Sequence, residues 1–96
     1  MNVLISYDVS TETPAGRKRL RKVAQACQDF GQRVQKSVFE CSVSEAQFEE
    51  VMRRLLDIIE TTEDNLRVYR LMEPKDKYVQ VYGLDGSVNF EEPLVL

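Results

Sequence analysis

Residues 3–9, VLISYDV, form a short apolar run that ends on a carboxylate. Val, Ile and Tyr favour strands, and the brevity of the run predicts a buried one. Residues 10–16, STETPAG, are polar, with Pro14 and Gly16 as turn punctuation. From about residue 16 to 30 the apolar positions Leu20, Val23, Ala24, Cys27 and Phe30 recur at helical spacing. Gly31 then falls at the C′ position, as a helix stop. Residues 33–43, RVQKSVFECSV, alternate as a strand does: Gln35, Ser37, Phe39, Cys41 and Val43 share one face, and Val34, Lys36, Val38 and Glu40 share the other. Ser44 with Gln47 has the form of a capping box, and Phe48, Val51, Leu55 and Ile58 make the stripe of a second helix reaching about residue 60. Residues 65–72, NLRVYRLM, predict a third strand, and residues 77–82, KYVQVY, a fourth. Two glycines mark a turn at residues 83–87, and the chain closes on the short apolar run EEPLVL.

The pattern therefore spells strand, helix, strand, helix, strand, strand and a short tail. The simplest layered arrangement at this size is a four-stranded sheet with both helices on one face. Its other face is left bare, and a second copy of the chain would cover it. We divide the chain into one domain over residues 1–82 and a C-terminal segment over residues 83–96.

Composition narrows the chemistry. The chain has 96 residues, 43% of them apolar and 30% charged, which suits one ordinary globular domain with a modest core. It has no His, which removes imidazole ligands and His-dependent nucleophilic catalysis. Cys27 and Cys41 are not in a CxxC motif and both fall at apolar positions, as buried free thiols in a reducing compartment would. No apolar run is long enough to span a membrane, and the N-terminal residues pass directly into a strand pattern with no cationic leader. The expected location is the cytoplasm.

Charge changes the picture most. The net value of −3 hides a strong segregation. Between Gly16 and Lys36, Arg17, Lys18, Arg19, Arg21, Lys22, Arg33 and Lys36 face only Asp29. Between Glu40 and Asp64, eight acids face only Arg53 and Arg54. A basic cluster opening a helix suits phosphate, and a solvated helix face is the plain alternative. Asp8, at the end of the first strand and just before this cluster, can hold Mg²⁺, whose usual protein ligands are one or two carboxylates plus waters. A symmetric pair of chains would bring two Asp8 side chains together on its axis; an Asx-type turn is the alternative. Tyr7 is either sheet packing or a site residue. Ser37 has no base to activate it, which argues against covalent catalysis. Phe39 either packs or, if exposed near the arginines, stacks a base.

These residues together carry a resemblance. LISYDV followed by GRKRLRKVAQACQDFGQRVQKSVFEC is similar to the CRISPR-associated protein 2 family: a strand ending in Tyr-Asp, a basic helix ending at Phe-Gly, and a QRVQxSVFE strand. The likeness is continuous over residues 3–42, and the RVYRL strand and EEPLVL ending fit it. It implies a ferredoxin-like α+β sandwich with strand–helix–strand–strand–helix–strand order, which differs from the order read above. Residues 33–43 then bend into two strands, or one later strand is misplaced. It further implies a symmetric homodimer in which a short C-terminal strand crosses to the partner. It also implies an Mg²⁺-dependent endonuclease, with Mn²⁺ as a substitute, acting on single-stranded RNA or duplex DNA. The resemblance makes Asp8 the metal ligand. Tyr7, Arg33, Ser37 and Phe39 become further site residues, and the helix basics Arg17, Lys18, Arg19, Arg21 and Lys22 become nucleic-acid contacts. The implied partner is the CRISPR-associated protein 1 integrase, bridged by the dimer during spacer capture. A stand-alone toxin ribonuclease of the virulence-associated protein D type is the second reading. A regulatory domain that binds a small molecule is a third, and it leaves the basic segment unexplained.

Overall fold

The computed structural model describes residues 1–84. The elements run β1 (Asn2–Asp8), α1 (Pro14–Phe30), β2 (Gln32–Gln35), β3 (Val38–Ser42), α2 (Glu45–Ile58) and β4 (Asn65–Leu71), followed by a 3₁₀ turn at Lys75–Lys77. The four strands form one antiparallel sheet in the order β2-β3-β1-β4. Two helices cover one face of it, which is the ferredoxin-like arrangement. The C-terminal strand expected within residues 83–96 lies outside the described residues.

Two expectations are corrected. The run 33–43 is two strands, joined by a tight turn at Lys36 and Ser37 and carrying a register shift between Arg33 and Gln35. The KYVQVY run is not a strand: the 3₁₀ turn occupies its start, and residues 78–84 have no strand pairing. With both changes the element order becomes the one the family resemblance implies.

Strand alternation decides what lies where. Val3, Ile5 and Tyr7 of β1 point to the helix side with Phe39 and Cys41 of β3, and meet Val23, Ala26 and Cys27 of α1 and Val51 and Leu55 of α2. Burial pushes the thiol of Cys27 up to about 12 and that of Cys41 up to about 11, so both are protonated, inert core groups at neutral pH. The other face carries Leu4, Ser6 and Asp8 of β1 with Val38 and Glu40 of β3 and Asn65, Arg67, Tyr69 and Leu71 of β4, and no helix among the described residues covers it.

Both helices start with satisfied caps. The Thr13 hydroxyl accepts from the Gly16 N–H at 3.0 Å, with Pro14 in the first turn, and Ser44 and Gln47 form the reciprocal capping box expected of them. Gly31 does not end α1 by a left-handed turn; its backbone is extended, at φ −157°. Glycine is needed there for space, because a Cβ would run into Cys41 Sγ.

Candidate functional site

The C-terminal end of β1 is the meeting point of the molecule's chemistry. Asp8 is exposed and, among the described residues, its carboxylate takes part in no ion pair and no side-chain hydrogen bond. It sits opposite Asn65 of β4, on the uncovered sheet face. The β2–β3 turn lies alongside, since Tyr7 N–H donates to Ser37 C=O at 3.1 Å. The loop leaving β1 leads directly into α1 and its basic first turns.

Tyr7 and Asp8 are neighbours in sequence and point to opposite faces. Tyr7 is only 5% exposed, and Phe39 is fully buried beside it, with ring centroids 6.2 Å apart. Above Phe39 lies the Arg33 guanidinium, 5.1 Å from the ring centroid. Burial, with a smaller contribution from the Cys27 thiol, pushes the Tyr7 hydroxyl above its ordinary value, and Arg33 works in the opposite direction. These three residues form a stack on the helix side, not a wall around Asp8. Of the two readings of Phe39, packing is the one the structure shows and the exposed stacking platform is not: its ring is closed off by Tyr7 and Arg33. Arg33 itself is exposed and free of any carboxylate partner among the described residues.

The basic helix divides in two. Arg17, Lys18, Arg21 and Lys22 are exposed and none of them is in an ion pair among the described residues. Arg17 makes one hydrogen bond, to Thr11 C=O at 3.0 Å. Arg19 is different: it turns inward, with Nε 2.9 Å from Asp64 Oδ2 and Nη2 3.0 Å from Glu63 Oε2. The side chain of Asp64 is shielded from solvent although the residue is only half-buried, and its carboxylate also accepts from the N–H groups of Ser10 at 3.1 Å and Glu60 at 2.8 Å. The structure thus separates Arg19 from the exposed cations with which the sequence groups it. Sequence reasoning missed Asp64 and Arg67. The period-two pattern of β4 could have placed Arg67 on the Asp8 face, where its guanidinium is held by Tyr69 Oη at 3.1 Å.

Asp64, with its carboxylate buried, gives the molecule a pH response. Burial would raise its carboxyl, but the Arg19 fork and the two backbone donors outweigh it and hold the group below the ordinary 3.8. A depressed folded value means stability that is full above the unfolded value and lost as pH falls through the folded one. The denaturation midpoint of the wild type should fall on acidification from about pH 4 downward, and an Asp64→Asn variant, weaker at neutral pH, should show a flatter acid limb. Asp29, lowered by hydrogen bonds from Gln25 and then Arg54, titrates in both proteins, so their difference isolates Asp64. Parallel acid limbs would refute the assignment.

Among the described residues no three Asp, Glu, Cys or His side chains come together as a metal cluster. At the end of β1 each chain offers the carboxylate of Asp8, and that fits half of an Mg²⁺ site in which waters complete the shell. No helix among the described residues is long and apolar enough to cross a membrane.

Comparison with known proteins is consistent with this geometry. The family model described as CRISPR associated protein Cas2 matches residues 1–79. A Moorella thermoacetica protein named CRISPR-associated endoribonuclease Cas2 1 is 66% identical over the full length of both chains. One from Halalkalibacterium halodurans, named CRISPR-associated endonuclease Cas2, is 47% identical and covers 99% of each chain. The crystal structure of Streptococcus pyogenes Cas2 at pH 6.5 superposes with a TM-score of 0.76 at 54% identity, covering 86% of this chain and all of the other.

Proposed function

The chain belongs to the CRISPR associated protein Cas2 family, and from that membership we propose that it is a dimeric nucleic-acid-binding subunit of CRISPR adaptation that carries a metal-dependent endonuclease site. The observation that carries this reading is a free, exposed Asp8 at the edge of a bare sheet face, beside a helix whose outer cations are unpaired. The names of the relatives, endoribonuclease and endonuclease, support nuclease activity in general. They do not favour the toxin-type ribonuclease, whose architecture is shared but whose family is not the one matched.

The bare face argues for a second copy. Leu4, Val38 and Tyr69 line it, and a groove of about 840 Å³ runs between them and Val79, Val81 and Tyr82. Among the described residues Tyr69 is 43% exposed, Val81 58% and Tyr82 84%, a concentration of apolar surface that they leave in water. Pairing two copies through this face brings two Asp8 carboxylates toward one axis. Two acidic oxygens there suit Mg²⁺, or Mn²⁺ in its place. When bound, such a cation supplies Lewis-acid polarisation of a phosphodiester and a water of lowered pKa. Arg17, Lys18, Arg21 and Lys22 hold the flanking phosphates without reading bases. Arg33, braced on Phe39, presents a cation to a strand entering from the α1 side. In this reading the same dimer, flanked by these cations, bridges the CRISPR-associated protein 1 integrase across duplex DNA.

Binding and cleavage are tested separately. The affinity for a duplex of arbitrary sequence should fall steeply with salt, and each of Arg17→Gln and Arg21→Gln should reduce the log–log slope by about 1–2, since a dimer carries each residue twice. Unchanged slopes in both variants would remove the basic helix from the interface. Cleavage of single-stranded RNA or duplex DNA should appear with Mg²⁺ and vanish with EDTA; turnover that survives chelation would overturn the metal-dependent reading.

A further inference from the structure

Asp64 is the most densely satisfied side chain in the described structure. Its Oδ1 accepts from Ser10 N–H at 3.1 Å and Arg19 Nη2 at 3.3 Å; its Oδ2 accepts from Glu60 N–H at 2.8 Å and Arg19 Nε at 2.9 Å. The carboxylate is fully buried, so these donors replace its water shell.

The places these donors come from matter more than their number. Ser10 is two residues beyond Asp8. Asn65, next to Asp64, is the cross-strand partner of Asp8 in the β1–β4 register. Arg19 belongs to the first turns of α1. One buried carboxylate therefore fixes the chain after Asp8, the strand beside Asp8 and the basic helix that follows. A short exposed side chain such as Asp8 has no contacts of its own to set its position, so its backbone must be held from elsewhere.

We propose that Asp64 is the positioning residue for Asp8, and that Arg19 serves as its internal counter-ion and not as a nucleic-acid contact. The inference rests on the reading of Asp8 as a metal ligand. Arg19 leaves the phosphate track, which is carried by Arg17, Lys18, Arg21 and Lys22. Asp64 touches neither metal nor substrate; its effect reaches the site through Ser10 and the β1–β4 register. A one-ångström drift of Asp8 would separate two carboxylates that must share one small cation with strict coordination demands.

The experiment uses the full chain and Mn²⁺ as the probe, with bound metal counted from the loss of the free Mn²⁺ paramagnetic signal. Wild type, Asp8→Asn, Asp64→Asn and Arg19→Gln are compared, with the salt slope of duplex binding measured on each in EDTA. Asp64→Asn is expected to weaken Mn²⁺ binding by about tenfold, as loss of an outer-shell support does, and to leave the salt slope unchanged. Arg19→Gln is expected to weaken Mn²⁺ binding in the same direction, again with the wild-type salt slope, in contrast to Arg17→Gln. A protein that is only destabilised would keep its Mn²⁺ affinity below its melting temperature. Should Asp64→Asn fail to fold, Arg19→Gln carries the same two readouts. Unchanged Mn²⁺ affinity in the folded variants, with binding abolished in Asp8→Asn, overturns the positioning role and leaves Asp8 standing. A reduced salt slope in Arg19→Gln overturns its internal role. Equal Mn²⁺ binding by wild type and Asp8→Asn overturns the metal reading of Asp8, and the proposal with it.

Discussion

Asp8→Asn should remove metal-dependent cleavage and leave the protein otherwise intact. The expected loss is roughly 10³-fold or more, because Lewis-acid catalysis supplies several kcal/mol and each ~1.4 kcal/mol is a factor of ten. The amide is nearly isosteric, but it replaces an anionic carboxylate with a neutral carbonyl oxygen and an NH₂ group that cannot ligate a cation. Stability is expected to stay within about 3 °C of wild type, as for other exposed positions without a network. Asp8 is exposed and makes no side-chain hydrogen bond or ion pair among the described residues, so nothing in the fold depends on its charge. Duplex binding in EDTA should hold or tighten, since a like charge to the phosphates has gone. The combination separates a chemical role from a structural one. Gel-resolved single-turnover cleavage, thermal melts and duplex titration on one preparation check it. Cleavage at wild-type rate by the variant would sink the mechanism and leave the bridging role.

How far the sequence reveals this site depends on how local each feature is. Asp8 is legible because a strand that ends on a carboxylate before a loop is a local pattern. The inward face of Phe39, Cys41 and Val43 is legible too, since period-two alternation survives beyond the turn that interrupts it. The turn itself is not legible. Lys36 and Ser37 supply neither glycine, proline nor asparagine, so the hairpin carries no turn signal, and the shift between Arg33 and Gln35 disguises the break as continuous alternation. KYVQVY misleads for the opposite reason. Its propensity is strongly β, but a strand also needs a neighbour, and the chain's own sheet gives it none. Arg19 is hidden by distance: its partner Asp64 is 45 residues away, and a charge run does not disclose which member is neutralised inside the fold.

The stack of Arg33, Phe39 and Tyr7 makes the largest stability prediction. Phe39 is fully buried, at the centre of the sheet's covered face, and pairs across β1 with Ile5. Phe39→Ala deletes an aromatic ring from a close-packed core and is expected to cost about 3–5 kcal/mol, much of the ~5–15 kcal/mol that holds a domain of this size together. The melting temperature should drop by roughly 15 °C or more. Phe39→Leu keeps most of the volume and should cost only about 1–1.5 kcal/mol, while removing the ring on which Arg33 rests 5.1 Å from its centroid. The two variants separate packing from presentation. If Phe39 serves only the core, duplex binding by the Leu variant equals that of wild type below its melting temperature. If the ring also orients Arg33, the Leu variant binds more weakly while remaining folded, and an Arg33→Gln change on that background adds less than it does alone. Urea midpoints with duplex titrations measure both. A cost below about 1 kcal/mol for Phe39→Ala would mean the site collapses around the lost ring, and would contradict a rigid platform beneath Arg33.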